Sequence, residues 1–252
     1  LLSKNQSAFI RALHQKKGRD VHHSFIAEGA KLVNEIVGSG IRIRQIYSST
    51  NFQLDIFNHE IEVIRISERE LKRISALVTP NEVLAVCDIP DHPLEVASLT
   101  DKLTLILDDI RDPGNLGTIM RIADWFGITE IICSLETVDL YNPKVVQATM
   151  GSIARVKLHY RNLEELFATL PAELQVFGAF MEGENLFTAT LPSAAMIVVG
   201  NESRGVSNEI ERFISKKLTI PSFLHAGSGK AGAESLNAAV ATAIFCAEFR
   251  RR

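Results

Sequence analysis

The sequence predicts an α/β protein in two parts, a larger parallel sheet covered by helices and a smaller α/β domain ahead of it. Three observations predict this. From Leu103 onward, short apolar runs alternate with helical patterns, as they do in a sheet buried on both faces. From Ser24 to about Cys87 a separate alternation of short helices and strands precedes it. Between the two lies DIPDHPLEVASLTDK, with two prolines, four acids and no period, which reads as a linker. The division falls between residues 1–94 and 95–252.

In the first part, AEGAKLVNEIVGSG is an amphipathic helix closed by glycines, and IRIRQIYSS is an alternating strand. EIEVIRI follows as a strand, SERELKRISAL as a helix opened by a Ser–Glu capping box, and NEVLAVCDI as another strand. In the second part strands are expected at LTLIL, ITEIICS, RVKLHY, LQVFGAF, AAMIVVG and KKLTIP. Helices lie between them, and a last long helix runs from about Glu234 to Arg250.

Composition limits the classes open to this chain. Its 252 residues are 46% hydrophobic and 23% charged, as in a soluble globular protein, and no run approaches a membrane span. The amino-terminal stretch lacks the apolar core of a signal peptide. Cys87, Cys133 and Cys246 stand far apart without metal-type spacing, so they read as reduced, buried thiols of a cytoplasmic protein. The net charge of −3 is uninformative, but its distribution is not. Residues 1–44 hold eight Lys and Arg against three acids. Arg11, Lys16, Lys17, Arg19 and His23 are therefore candidates to follow an RNA backbone, although a solvated helix face has the same composition.

Three loops, each after a strand, concentrate unusual residues. The first, LDDIRDPGNLGTIMRIADWFG, carries Asn115, Gly117 and Arg121 as N-x-G-x-x-x-R. The second, VVGNESRGVSNEI, carries Gly200, Glu202 and Gly205 as G-x-E-x-x-G. The third ends a strand at Ile220 and Pro221 and opens the last helix with Ser235, Leu236 and Asn237. In open α/β sheets ligands bind outside the carboxyl ends of the strands, where such loops lie. GNLGTI lacks the third glycine of a dinucleotide fingerprint, and GSGKAG lacks the tail of a P-loop. Asp108 and Asp109 have no His nearby in sequence and read as loop-structuring; no metal site is expected. Trp125 reads as a core or interface residue.

In order and spacing, these loops resemble the three signature motifs of the SpoU (TrmH-like) RNA ribose 2′-O-methyltransferases of the SPOUT superfamily. The likeness runs from about Ala8 to the end of the chain. FIAEGAKLVNEIV and TPNEVLAV also look like that family's amino-terminal RNA-binding domain, which resembles ribosomal protein L30e.

The resemblance implies a parallel-sheet SPOUT domain with a deep trefoil knot, a homodimer with the active site formed across it, and S-adenosylmethionine (AdoMet) bound bent in the knot. By motif position Gly200, Ile220 and Leu236 contact the cofactor, with Pro221 beside them and Ala179 and Phe180 as neighbours. Asn115, Arg121, Glu202, Ser235 and Asn237 surround the reacting ribose. Residues 222–234 form a longer insert than the family pattern has, and within it Lys230 is a further candidate RNA contact.

AdoMet supplies the electrophile, so the protein's tasks are orientation and proton management. A ribose hydroxyl is a poor nucleophile until its proton leaves. Arg121 is expected either to stabilise the developing alkoxide and position a phosphate, or to remove the proton. The second role meets a barrier, because neutralising a guanidinium of pKa about 12.5–13.8 near neutral pH costs about 7 kcal/mol. The function expected is AdoMet-dependent 2′-O-methylation of rRNA or tRNA, with rRNA slightly favoured. An RNA-binding protein without catalysis and an RNA base methyltransferase are the alternatives.

Overall fold

The computed structural model describes residues 2–50, 52, 61–171, 173–223 and 235–251. The expected helix start at Glu234, and Lys230 with most of the insert, lie outside the described residues. The chain divides into two compact units: residues 1–92 with 139–155, and residues 93–138 with 156–252.

The first unit opens with α1 (Lys4–Ala12) and α2 (Lys16–His22). A four-stranded sheet follows, with β1 (Ser24–Glu28), α3 (Ala30–Val37), β2 (Ile43–Ser48), β3 (Val63–Arg65), α4 (Glu68–Ile74) and β4 (Val83–Asp88) in chain order. Its spatial order is β1-β4-β2-β3; β4 runs antiparallel to both neighbours, and β2 pairs with β3 in parallel. Ser67 accepts from the Glu70 backbone N–H while Glu70 reaches back to Ser67, the capping box expected at α4. Gly29, at φ +105°, separates β1 from α3, so Ala27 and Glu28 are strand and not the start of the helix. Ile10, Leu13, Ile26, Tyr47, Leu71 and Leu84 form the core beneath α1 and α4.

The second half of the chain runs β5 (Leu103–Leu107), α5 (Pro113–Trp125), β6 (Glu130–Cys133), α6 (Pro143–Ala148) and β7 (Lys157–Tyr160). It continues with α7 (Leu163–Thr169), β8 (Val176–Asn185), β9 (Ala195–Val199), α8 (Asn208–Glu211), β10 (Lys216–Thr219) and α9 (Ala238–Arg251). All six of its strands pair in parallel, in the order β10-β8-β9-β5-β6-β7. β5 and β9 are buried along their whole lengths, as central strands of a sheet covered on both faces must be. This is the mixed α/β architecture with a parallel sheet that the alternation predicts.

The partition differs from a single cut at 94/95 in one respect. Residues 139–155, including α6, belong with the first unit. Val145 and Val146 are buried, and α6 packs on β1. The Tyr141 ring lies 4.8 Å from that of Phe25. An ion pair fixes each end of this excursion, Arg19 with Asp139 and Arg155 with Glu35. A fragment beginning at residue 95 therefore leaves α6 without the surface that covers Val145 and Val146.

Arg19 needs a correction as an RNA contact. Its side chain is 3% exposed, donating from Nε and Nη2 to Asp139 Oδ2 at 3.0 and 2.5 Å and from Nη1 to the Leu13 carbonyl at 2.8 Å. A guanidinium satisfied in this way holds the fold and is not offered to a phosphate. Arg11, Lys16, Lys17 and His23 are exposed, and His23 closes α2 in the left-handed region at φ +47°. The three cysteines are buried and unpaired, and burial raises each thiol above its ordinary range. Among the described residues no helix is long and apolar enough to cross a membrane.

Candidate active site

The carboxyl ends of β5, β9 and β10 carry the loops of interest. Past β5, the Asp108 backbone N–H donates to the Val199 carbonyl, and its buried carboxylate accepts from the Ser207 N–H at 2.8 Å. The loops after β5 and β9 are thus fastened at their roots. Asp112 then caps α5 by accepting from the Asn115 N–H at 2.8 Å, and Pro113 takes the first helical position, where no N–H is needed.

Gly200 ends β9 where the chain turns back on itself. Asn201 and Gly205 exchange backbone hydrogen bonds of 2.9 Å, and Gly205 adopts φ +72°. A Cβ on residue 200 would lie 2.2 Å from both the Gly205 carbonyl carbon and the Val206 nitrogen. Only glycine fits there, because the obstruction is backbone. Gly200→Ala is therefore expected to destabilise the protein by about 1–3 kcal/mol, the scale of forced overpacking. Thermal unfolding measures this loss, and calorimetry with AdoMet should show cofactor binding weakened by about tenfold or more. Gly40→Ala, where a Cβ would meet nothing within 4 Å, is the control. A Gly200→Ala protein as stable as that control would refute the packing argument.

β8 supplies a third wall. Its pairing with β10 runs through Gly178 opposite Lys217 and resumes at Glu184 opposite Leu218. The intervening residues leave the ladder, and the Thr219 hydroxyl donates to the Met181 carbonyl at 2.9 Å.

These walls enclose a cleft of about 1200 Å³. Every residue expected to bind cofactor lines it: Ala179, Phe180, Gly200, Ile220, Pro221 and Leu236. Glu202 and Ser235 line it too, and Ser235 is exposed. Met181, Glu182 and Phe245 also contribute, although no motif marks them. The sequence signal for the first two is an interruption of strand pairing, which periodicity does not reveal. Apolar side chains beside backbone turns suit a cofactor with an aromatic base and a polar tail, and the volume exceeds the roughly 300–1000 Å³ of a small-molecule site. Among the described residues no cluster of His, Cys, Asp or Glu could hold a metal ion.

A hydrogen-bonded chain links the three loops. The Ala239 and Val240 N–H groups donate to Asn237 Oδ1 at 2.9 and 3.3 Å, so Asn237 caps the start of α9. Asn237 Nδ2 donates to Asn115 Oδ1 at 2.8 Å, and Asn115 Nδ2 donates to Glu202 Oε1 at 2.6 Å. Each amide has one acceptor and one donor end, so the backbone donors of α9 and the carboxylate together fix both orientations. Residues from three distant parts of the chain thus form one hydrogen-bonded unit ending on Glu202.

Arg121 stands apart. It lies six residues beyond Asn115 on α5, is exposed, and is not among the cleft-lining residues. Among the described residues its side chain forms no hydrogen bond or ion pair. Trp125, one turn further along the same face, is 85% exposed.

Comparison with known proteins gives a consistent result. The SpoU rRNA Methylase family matches residues 102–247, and the MRM3-like substrate binding domain matches residues 5–85. The chain is 30% identical to the 23S rRNA (guanosine(2553)-2′-O)-methyltransferase RlmP of Bacillus subtilis, over 95% of this chain and 94% of that protein. A structure from Porphyromonas gingivalis, assigned to the TrmH family of RNA methyltransferases, superimposes with a TM-score of 0.87. It is 39% identical, and the match covers 100% of this chain and 99% of that one. The AdoMet-bound rRNA methyltransferase of Sinorhizobium meliloti gives 0.83 at 31% identity, covering 100% and 97%.

Proposed function

The chain belongs to the SpoU rRNA methylase family, and from that membership we propose that it methylates a ribose 2′-oxygen of ribosomal RNA, using AdoMet. The observation that carries this reading is the chain from Asn237 through Asn115 to Glu202, which joins all three motif loops beside the cleft. AdoMet when bound supplies an electrophilic methyl on a sulfonium. Gly200, Ile220, Leu236, Ala179, Phe180 and Pro221 hold it, chiefly by shape and backbone groups. Asn115, Glu202, Ser235 and Asn237 orient the ribose, and the hydrogen-bonded amide chain holds the Glu202 carboxylate where a hydroxyl can donate to it. Arg121 stabilises the oxygen as its proton leaves.

The enzyme acts as a homodimer in this reading, with Arg121 serving the site of the second copy. Support comes from the exposure of Arg121 outside the cleft of its own chain, with Trp125 exposed beside it. The carboxy-terminal segment is threaded as a trefoil knot, an exception to the unknotted rule, supported by the fold likeness to the TrmH-family structure. Residues 1–92, with 139–155, form the RNA-holding domain, to which Arg11, Lys16, Lys17 and His23 contribute. Three buried, unpaired thiols support a cytoplasmic setting.

The test is product identity. An unmodified 23S rRNA transcript, incubated with the protein and methyl-labelled AdoMet, is digested to nucleosides. The label is expected on a 2′-O-methylnucleoside. Label on a methylated base, or none on RNA, overturns the proposal.

A further inference from the structure

Asp109 holds an unusual backbone conformation in the candidate site. Its backbone sits at φ +58°, a region that a residue with a side chain enters only at a cost. Its neighbours hold it there. The Asp109 N–H donates to the Ser134 hydroxyl at 2.9 Å, and Asn201 Nδ2 donates to the Asp109 carbonyl at 2.8 Å. The effect is to aim one carboxylate, 17% exposed, between two arginines from different loops. Arg111 Nε donates to Oδ1 at 2.7 Å, and Arg204 Nη2 donates to Oδ2 at 2.8 Å.

Both guanidinium groups remain open to solvent, with side chains 61% and 65% exposed. Each spends one N–H on Asp109 out of five, and among the described residues neither has another hydrogen-bond or ion-pair partner. Two cations share the Asp109 carboxylate, and the Glu136 carboxylate also acts on Arg111 through space. Surface ion pairs contribute little stability, so the pairing of both arginines on Asp109 adds little to the fold by itself. Pre-positioned forks with free edges are instead the geometry that recognises a tetrahedral oxyanion. Their place is informative too: Arg111 lies four residues before Asn115, while Arg204 lies two after Glu202 and lines the cleft.

The geometry points to a phosphate clamp: Arg111 and Arg204, held together by Asp109, grip a phosphodiester of the RNA strand next to the ribose presented to Asn115 and Glu202. This rests on the RNA-methylation reading above. It adds a contact that fixes the strand in register, since phosphate contacts position without reading sequence. The carboxylate of AdoMet is the other oxyanion available, and the experiment separates the two.

Arg111→Gln with Arg204→Gln removes the charges, and Arg111→Lys with Arg204→Lys keeps them while removing the forks. Binding of a 23S rRNA transcript is measured across a series of salt concentrations, and AdoMet binding is measured by calorimetry. The Gln pair is expected to weaken RNA binding about tenfold or more at low salt and to flatten the log–log salt slope by about 0.7–0.9. The Lys pair should keep the slope and recover part of the affinity, and AdoMet affinity should stay within about twofold in both. An unchanged RNA slope overturns the clamp, as does a loss confined to AdoMet, which would assign the arginines to the cofactor. Base-methylated product from the wild-type protein would instead overturn the ribose-methylation reading, and the salt slope would still decide for or against the clamp.

Discussion

Arg121→Ala is expected to lower methyl transfer by about 10²-fold or more, the scale for losing a charge-stabilising or proton-managing group. AdoMet affinity should stay within about twofold, because Arg121 is not among the residues lining the cleft of its own chain. Its position makes a further outcome expected. Trp125 follows it by four residues on α5 and is almost wholly exposed, although a buried tryptophan contributes among the largest apolar areas of any residue. A second copy covering that face would bring Arg121 toward a site to which it does not belong by chain. Arg121→Ala and Glu202→Gln proteins, each inactive alone, should then restore activity when refolded together. In a random mixture half of the dimers are mixed and each has one intact site, giving about a quarter of wild-type turnover. If the mixture stays as inactive as its components, the shared site is wrong, and Arg121 must act within its own chain.

Much of this arrangement is legible in the sequence because the signals are local. LTLIL and AAMIVVG read as strands since a parallel sheet buried on both faces demands continuous apolar runs, and β5 and β9 meet that demand. The capping box at Ser67 and Glu70 is equally local. What the sequence hides depends on partners far away in the chain. SFIAE is a buried strand whose polar end is satisfied from a distance: Glu28 accepts from the Ser75 hydroxyl and the Ala76 N–H. Burial nevertheless raises the Glu28 carboxyl above its ordinary range.

Arg19 reads as one of a row of surface cations until Asp139, 120 residues later, is seen to accept from it. The same contact carries residues 139–155 to the first unit, which no period within DLYNPKVVQAT announces. In the site itself, residue types and loop positions are legible, while the linkage is not. Asn115, Glu202 and Asn237 are separate motif letters in sequence, and one hydrogen-bonded unit in space. Ser235, Leu236 and Asn237 together open the last helix in sequence, and of the three it is the Asn237 side chain that caps α9.

The second large effect concerns the atom that receives the methyl group. Replacing the target nucleotide of the RNA by its 2′-deoxy counterpart is expected to abolish methyl transfer while reducing binding only modestly. Two arguments lead to this result. The Asn115–Glu202 pair presents a carboxylate whose geometry suits a hydroxyl donor, and a 2′-deoxyribose has none to offer. Affinity should come mainly from phosphate contacts, through exposed cations such as Arg11, Lys16 and Lys17, and should weaken with salt whether or not one hydroxyl is missing. The measurement pairs filter binding with incorporation from labelled AdoMet, on the same RNA with and without the single deoxynucleotide. Incorporation that persists on the deoxy substrate, with the label recovered on the free base, would remove the ribose from the mechanism. Binding lost together with incorporation would place the 2′-hydroxyl among the main sources of affinity, and the division between phosphate grip and ribose chemistry drawn from the site would then fail.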